Sequence, residues 1–455
     1  MKAAWLLLAL AACEKVGPGI VAEGSSCASP RGERRGALVW SEDDYDQARA
    51  CAAERKVPLV VDLWAPWCHT CLSMSQYVLT DPAFAPFADR FVFVGIDTDK
   101  PSNAAVVAKL PQNVWPTYFV LSPDDETIEA RFEGAATVRQ WREFLGQGES
   151  AYAANDLPEG SPLAHVRNGD RAMVAHDLAA ADREYGAALA MAPADWPRRP
   201  DVLVSQIGAR YKRGEIAGCL ELGLAALDQT GRSSSVTDFL VWALRCADER
   251  EKDAPERARA MREAAAARLT DITHDPSTPL SVDDRSDALA NLRELEDQLG
   301  HHDLALAAAE QQRALLDDAA NHAPSPAAAG TFNYQRGDVY VYLGRPLDIV
   351  PALEASARAL PDDYDPPYRL AWVLLKANQP DEAKIWIDHA AQLAYGPRKA
   401  RVLSLAADIA KARGDHDGEK SLRAAVVAQY ESLPPGQVSA DTIAKAKSAL
   451  AALDR

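Results

Sequence analysis

Apolar residues fall in two rhythms along this chain, and the change between them near residue 150 divides it. Before that point they form short dense runs: Leu38-Val39-Trp40, Leu59–Trp64, Phe91–Ile96, Tyr118–Leu121 and Thr127–Phe132. Such runs, bounded by Pro, Gly and Asp, predict strands. Phe91–Ile96 is apolar on both faces, which predicts a central position in a sheet. Between the runs, apolar residues recur at helical spacing. Residues 43–55 place Tyr45, Ala48 and Ala52 on one face, the stretch after Cys68 carries Leu72, Met74, Tyr77 and Val78, a short helix falls near 102–109, and 137–146 carries Val138, Trp141 and Leu145. The order β-α-β-α-β-α-β-β-α is that of an α/β domain with helices on both faces, over residues 37–148.

From about residue 160 the strand signals stop and Ala-rich helical periodicity takes over. Gly337, Tyr340, Gly344, Ile349 and Leu353 recur 34 positions later as Ala371, Leu374, Asn378, Ala383 and Ile387. A 34-residue period with small residues at close contacts marks a tetratricopeptide-like helix–turn–helix repeat. Residues 160–455 therefore predict an all-α solenoid of six or seven such units. Its groove-facing positions in the clearest units are Tyr334, Asp338, Tyr342, Tyr368, Trp372 and Lys376, with packing between helices as the other role open to the aromatics. Cys219 and Cys246 fall on consecutive helices, where they form either a structural disulfide or two separate buried thiols.

Met1-Lys2 precedes an apolar run too short to span a bilayer, ending in Leu10-Ala11-Ala12-Cys13. That layout resembles a bacterial lipoprotein signal, which implies a signal peptide over 1–12, acylation of Cys13, and an envelope location facing the periplasm, with Glu14 favouring the outer membrane. Residues 13–36, rich in Gly, Ser, Pro and charge, read as a flexible tether. The chain has 455 residues, a net charge of −17 and seven cysteines. The charge argues against nucleic acid or an anionic bilayer surface as the main partner, leaving the lipid as the membrane contact. With Cys13 set aside, six cysteines remain, and an exported protein can pair them; for Cys27 and Cys51 the pairing is open.

Trp67-Cys68-His69-Thr70-Cys71 follows directly on the strand Leu59–Trp64. Two thiols three positions apart at a helix start share a face, and free N–H groups there stabilise a thiolate. This suits thiol–disulfide exchange with no cofactor beyond the Cys68–Cys71 disulfide itself. A structural zinc site would need a second close Cys/His pair, and none follows at suitable spacing, so no metal is expected.

The segment Val61-Asp62-Leu63-Trp64-Ala65-Pro66-Trp67-Cys68 resembles the active-site stretch of thioredoxins, and Val114-Trp115-Pro116-Thr117 resembles their second landmark. Trp40, Arg55-Lys56-Val57-Pro58 and Thr80-Asp81-Pro82 are similar to the C-terminal periplasmic domain of DsbD-type interchange proteins. The resemblance implies that Cys68 is an exposed nucleophile, Cys71 the resolving thiol, and Asp62 a buried carboxylate that exchanges a proton with Cys71. It implies a cis Pro116, with Trp67, Trp115, Pro116 and Thr117 receiving substrate. His69 and Thr70, between the cysteines, tune the pair: a Thr before the second cysteine resembles the reductants of cytochrome c maturation, whereas a protonated His69 makes the disulfide more oxidising. Clients would be proteins bearing disulfides or thiols, with a DsbD-type membrane donor recharging a reductase. The alternative is a non-enzymatic scaffold or assembly lipoprotein acting through its repeats.

Overall fold

The computed structural model describes residue 27, residues 32–110, residue 112, residues 114–153 and residues 157–454. The signal segment 1–12 and Cys13 lie outside the described residues. The tether is shorter than the composition suggests, because Gly32–Arg35 forms a strand, β1, paired antiparallel with β2 (Leu38–Glu42). Arg35 is the reason: its side chain is buried between the carboxylates of Glu42 and Asp62.

After α1 (Tyr45–Arg55) comes β3 (Leu59–Trp64), then α2 (His69–Ser73), which runs on as a wider helical turn through Val78. Next are β4 (Val92–Asp97), α3 (Ala104–Lys109), β5 (Thr117–Leu121), β6 (Ile128–Glu133) and α4 (Val138–Ala153). The sheet order is β1-β2-β4-β3-β5-β6, with β4 parallel to both its neighbours and β3 antiparallel to β5. The doubly apolar strands β3 and β4 take the centre, as their patterns demand. One face of the sheet packs Trp40, Phe93 and Phe84 against Trp141 and Phe144 of α4. The other packs Val61, Leu63 and Ile96 against Ala48 and Ala52 of α1. Cys27 and Cys51 are joined by a disulfide that ties the N-terminal segment to α1.

The remaining helices stack as antiparallel pairs. These are α5 (Pro162–Val174) with α6 (Leu178–Met191), α7 (Arg199–Lys212) with α8 (Ile216–Ala226), and α9 (Ser235–Arg250) with α10 (Pro255–His274). Then follow α11 (Val282–Leu299) with α12 (His302–Asn321), the short α13 (Pro326–Gly330), and α14 (Asn333–Tyr342) with α15 (Pro346–Ala359). The array closes with α16 (Asp365–Lys376) and α17 (Pro380–Leu393), α18 (Gly396–Ala412) and α19 (His416–Glu431), and a final α20 (Ala440–Ala451). Turns between partners use Gly214, Gly300, Gly344 and Gly414 in left-handed conformations. Cys219 and Cys246 are disulfide-bonded in the core between α8 and α9. Among the described residues, no helix is long and apolar enough to cross a membrane.

The solenoid is wrapped around the α/β domain. Ser234 donates to the carbonyl of Ala135 at 3.0 Å, Tyr77 donates to the carbonyl of Ala328 at 3.0 Å, and Gln437 donates to the carbonyls of Thr98 and Lys100. Contact is tightest at Gly396, where a Cβ would stand 1.9 Å from the carbonyl oxygen of Asp99.

Candidate functional site

β3 delivers the chain to a turn at Ala65-Pro66-Trp67, and Cys68 caps the helix that follows: its Sγ accepts a hydrogen bond from the backbone N–H of Cys71 at 3.0 Å. Cys68 and Cys71 are bonded to each other, so this is the oxidised form. Opposite them, the Trp115–Pro116 peptide is cis. The rings of Trp67 and Trp115 lie 5.4 Å apart and pack, with Trp64, against the sulfurs. Each indole is fixed by its N–H, Trp67 donating to Asp99 and Trp115 to Thr98, both at 2.9 Å. These rings, with Thr98, Asp99, Arg398 and Gln437, line a cavity of about 520 Å³ at the domain boundary.

Two expectations need correction. Cys68 is only 5 % exposed and Cys71 4 %, so the nucleophile is not open to solvent. Trp64, Trp67 and Trp115 pack against the sulfurs, and the array holds Trp67 from outside through Arg369 and Arg398. Thr117 is fully buried and spends its hydroxyl on the carbonyl of Val114 at 2.7 Å. It holds the Trp115–Pro116 turn in place.

Asp62 is buried, and its Oδ2 accepts from Arg35 at 3.1 Å. Burial pushes its carboxyl up to about 6, against the opposing pull of Arg35. Arg35 itself bridges to Glu42, and β4 places Gly95 between the strands carrying Glu42 and Asp62. A Cβ there would stand 2.6 Å from the Glu42 carboxylate, so only glycine leaves room for this buried row. The β1–β2 hairpin thus supplies the charge beside Asp62.

His69 is the residue most changed by tertiary structure. Its Nδ1 lies 2.9 Å from Asp283 of α11, its Nε2 is 3.9 Å from Asp287, and its ring stacks on Tyr334 of α14 at 5.3 Å. Burial pulls the imidazole down, but the two carboxylates outweigh it and push it up to about 9. Thr70 sits beside it, its hydroxyl 3.5 Å from Nδ1. The three acidic and imidazole groups could together offer ligands to a cation, but the 2.9 Å contact is a hydrogen-bonding distance, and an ion pair accounts for the cluster.

Of the groove positions expected from the repeats, Tyr334 meets His69, Tyr368 packs against Arg369 and Arg398, and Trp372 lies beside Gly337 between repeats. Asp338 pairs with Arg293, Tyr342 donates to Asp297, and Lys376 is exposed. Of these positions Tyr334 touches the α/β domain, while Asp338, Tyr342 and Trp372 are engaged within the array. Arg369 donates to the carbonyl of Trp67 at 3.3 Å, Arg398 lies 5.2 Å over the Trp67 ring, and Tyr395 donates to Asp97. None of Arg35, Asp283, Asp287, Arg369 or Arg398 was legible as a site residue. His69 and Asp283 are 214 positions apart, and no local pattern links them.

Fold and site together define a thioredoxin-like α/β domain enclosed by a tetratricopeptide-like solenoid. A thioredoxin-like family model matches residues 40–123. The chain is 28 % identical over 121 residues to the chloroplastic thioredoxin-like protein CITRX of Arabidopsis thaliana, covering 26 % of this chain and 64 % of that protein. It is 32 % identical over 92 residues to the CITRX protein of Oryza sativa subsp. japonica, covering 20 % and 47 %. The chain thus spans about half to two thirds of the length of these curated relatives. Among solved structures it is similar to a tetratricopeptide repeat protein from Parabacteroides merdae (13 % identity, TM-score 0.41, 65 % of this chain and 99 % of that one). It is also similar to a thermophilic repeat protein of Thermus thermophilus (21 % identity, TM-score 0.29, 47 % and 100 %).

Proposed function

We propose that this chain is a thiol:disulfide oxidoreductase of the bacterial envelope, held by lipid at Cys13, whose repeats control which client reaches Cys68. One observation carries the reading: a Cys68–Cys71 disulfide at a helix start, facing a cis Pro116 and walled by two anchored indoles. In the reductive direction, the Cys68 thiolate attacks one sulfur of a client disulfide and expels the other as a thiolate, which takes up a proton. Cys71 then loses its proton and attacks Cys68 Sγ, releasing the second client thiolate. The client gains two electrons and the pair ends as the disulfide, to be recharged by a dithiol donor of the DsbD kind. Asp62, with its carboxyl near 6, is suited to accept the proton of Cys71.

The burial of both sulfurs supports a second reading, in which the disulfide does not cycle and the chain is a scaffold. Both are tested by following reduction of insulin disulfides by the full chain and by Cys68→Ser. Turnover by the first and none by the second is expected. Absence of turnover in both, with a disulfide that persists in strong reductant, would move the function to the repeats.

A further inference from the structure

The cavity at the domain boundary holds a buried cation that lacks an anion. Trp67 and Trp115 pack against the sulfurs and also line this cavity, and α18 adds Pro397, Arg398 and Arg401 to its wall. Arg398 and Arg401 stand one turn apart at the start of α18 and so share a face. Arg398 is 7 % exposed. Its guanidinium lies over the rings of Trp67 and Tyr368, 5.2 and 4.8 Å from their centroids. Stacking uses the faces of a guanidinium and leaves its N–H donors, which lie in the plane, to find acceptors. Among the described residues Nε finds none, and the ion pair to Asp365 is 3.6 Å long. That carboxylate is already engaged by Arg369 at 3.1 Å through its other oxygen. Burial and the neighbouring Arg369 accordingly pull Arg398 below the usual arginine range. The start of α18 deepens the deficit. No side chain caps it, because Tyr395 at the N-cap gives its hydroxyl to Asp97, and the positive end of the helix dipole stands at the cavity wall. The acidic residue in that wall, Asp99, spends one oxygen on the Trp67 N–H. Burial beside Asp97 pushes its carboxyl up to about 7, so it offsets only part of the two positive charges.

We propose that this cavity is a client subsite for a carboxylate, an Asp or Glu side chain close to the client's cysteine, bound by Arg398 with Arg401 beside it. This deepens the oxidoreductase reading and rests on it. A volume of about 520 Å³ lies within the range of small-ligand clefts and has room for such a side chain. A carboxylate there accepts from in-plane donors that nothing else takes, in the geometry a guanidinium favours. The ligand is part of a polypeptide client because the indoles that wall the cavity are those that pack against Cys68 and Cys71. Residues next to the anchored carboxylate therefore lie at the rim of the redox pair. The chain as a whole carries a charge of −17 and repels acidic proteins, so two arginines at this one place act as a filter for where such a client docks. The filter belongs to the repeats, since both arginines stand on α18.

The test uses the full chain and two short disulfide-linked peptides, identical except for glutamates or glutamines beside the cysteine. Binding is read by calorimetry on versions with serine in place of cysteine. Reduction is followed as kcat and KM, with dithiothreitol as the electron source. The glutamate peptide should bind about tenfold more tightly and show a KM about tenfold lower at similar kcat, as for loss of one charge-assisted hydrogen bond. Arg398→Met should erase that preference, Arg401→Gln should reduce it about twofold, and Arg398→Lys should keep part of it. Removing a buried charge that lacks an acceptor should leave Arg398→Met folded; should it not fold, Arg398→Lys and Arg401→Gln decide the case. Equal affinity for the two peptides, or a preference that survives in Arg398→Met, would overturn the proposal, while reduction of both peptides would leave the oxidoreductase standing. Tighter binding of inorganic phosphate than of the glutamate peptide would overturn the assignment to a client. The expected binding preference with reduction of neither peptide would overturn the oxidoreductase reading and the client role with it.

Discussion

Two disulfides in this chain are buried, and they are buried by different means. Cys219–Cys246 lies in an apolar core with Leu240, Met261 and Trp242, inside the array. Cys68–Cys71 is covered by aromatic rings and by charged groups reaching across a domain boundary: Arg369 to the Trp67 carbonyl, Arg398 to its ring, and Asp283 to His69. Uncovering the first requires opening a packed core, which costs a large share of global stability. Uncovering the second requires the Trp67 indole to move, and the repeats hold it through polar contacts that water can replace. A sulfur pair that must react can be buried in the second way, while one that only staples is safe in the first.

That contrast can be broken most forcefully at the staple. Replacing Cys219 and Cys246 by Ser should lower stability by about 3 kcal/mol, as for loops of tens of residues, while insulin turnover at room temperature persists. Denaturant midpoints and turnover measured on the same preparation decide it; a loss of turnover in the folded variant would make this pair part of the chemistry. Next in size is the cover. Tyr334→Ala with Arg369→Ala removes a ring stack and two cation contacts, each worth about 1 kcal/mol, and should speed reduction of Cys68–Cys71 by small thiols about tenfold. An unchanged rate would mean that the sulfurs are reached without moving the repeats.

The pH dependence sharpens the same point. His69 holds its proton to about 9 when docked, against about 6.5 for a free imidazole. A group that binds its proton more tightly in the docked form supports docking fully below its free pKa, and that support is lost as pH rises through about 9. Fluorescence from Trp67 and Trp115 should therefore show a transition near pH 9 in wild type and lose it in His69→Gln. A flat wild-type profile from 7 to 10 would refute the coupling. The smallest effect is expected at Thr117. Thr117→Val removes one buried hydrogen bond and should cost about 1 kcal/mol of stability while leaving the apparent KM for insulin unchanged. A raised KM would return Thr117 to the substrate face.

Much of the fold is readable from local pattern. β3 and β4 announce themselves by unbroken apolar runs, and the change to Ala-rich period 34 marks the solenoid, because strands and repeats are specified by neighbours in sequence. The Cys-His-Thr-Cys turn is legible for the same reason: its chemistry needs only a strand, a turn and a helix start. The hairpin strand β1 was hidden in a charged, Gly-rich stretch, since Arg35 is buried only by reaching Asp62 on another strand. The exposure of Cys68 and the role of Thr117 could not be read, because each depends on what covers it.

The sequence alone therefore determined that a thioredoxin-like domain precedes a helical array and that two cysteines lie at a helix start. Only the tertiary structure decided what surrounds them: Arg35 beside Asp62, array residues Tyr334, Arg369 and Arg398 against the active-site turn, and two carboxylates on His69. The physical reason is range. Hydrophobic periodicity acts within an element and leaves a trace along the chain. Burial and Coulomb interaction act through space, and the residues that shape His69 stand more than 200 positions away.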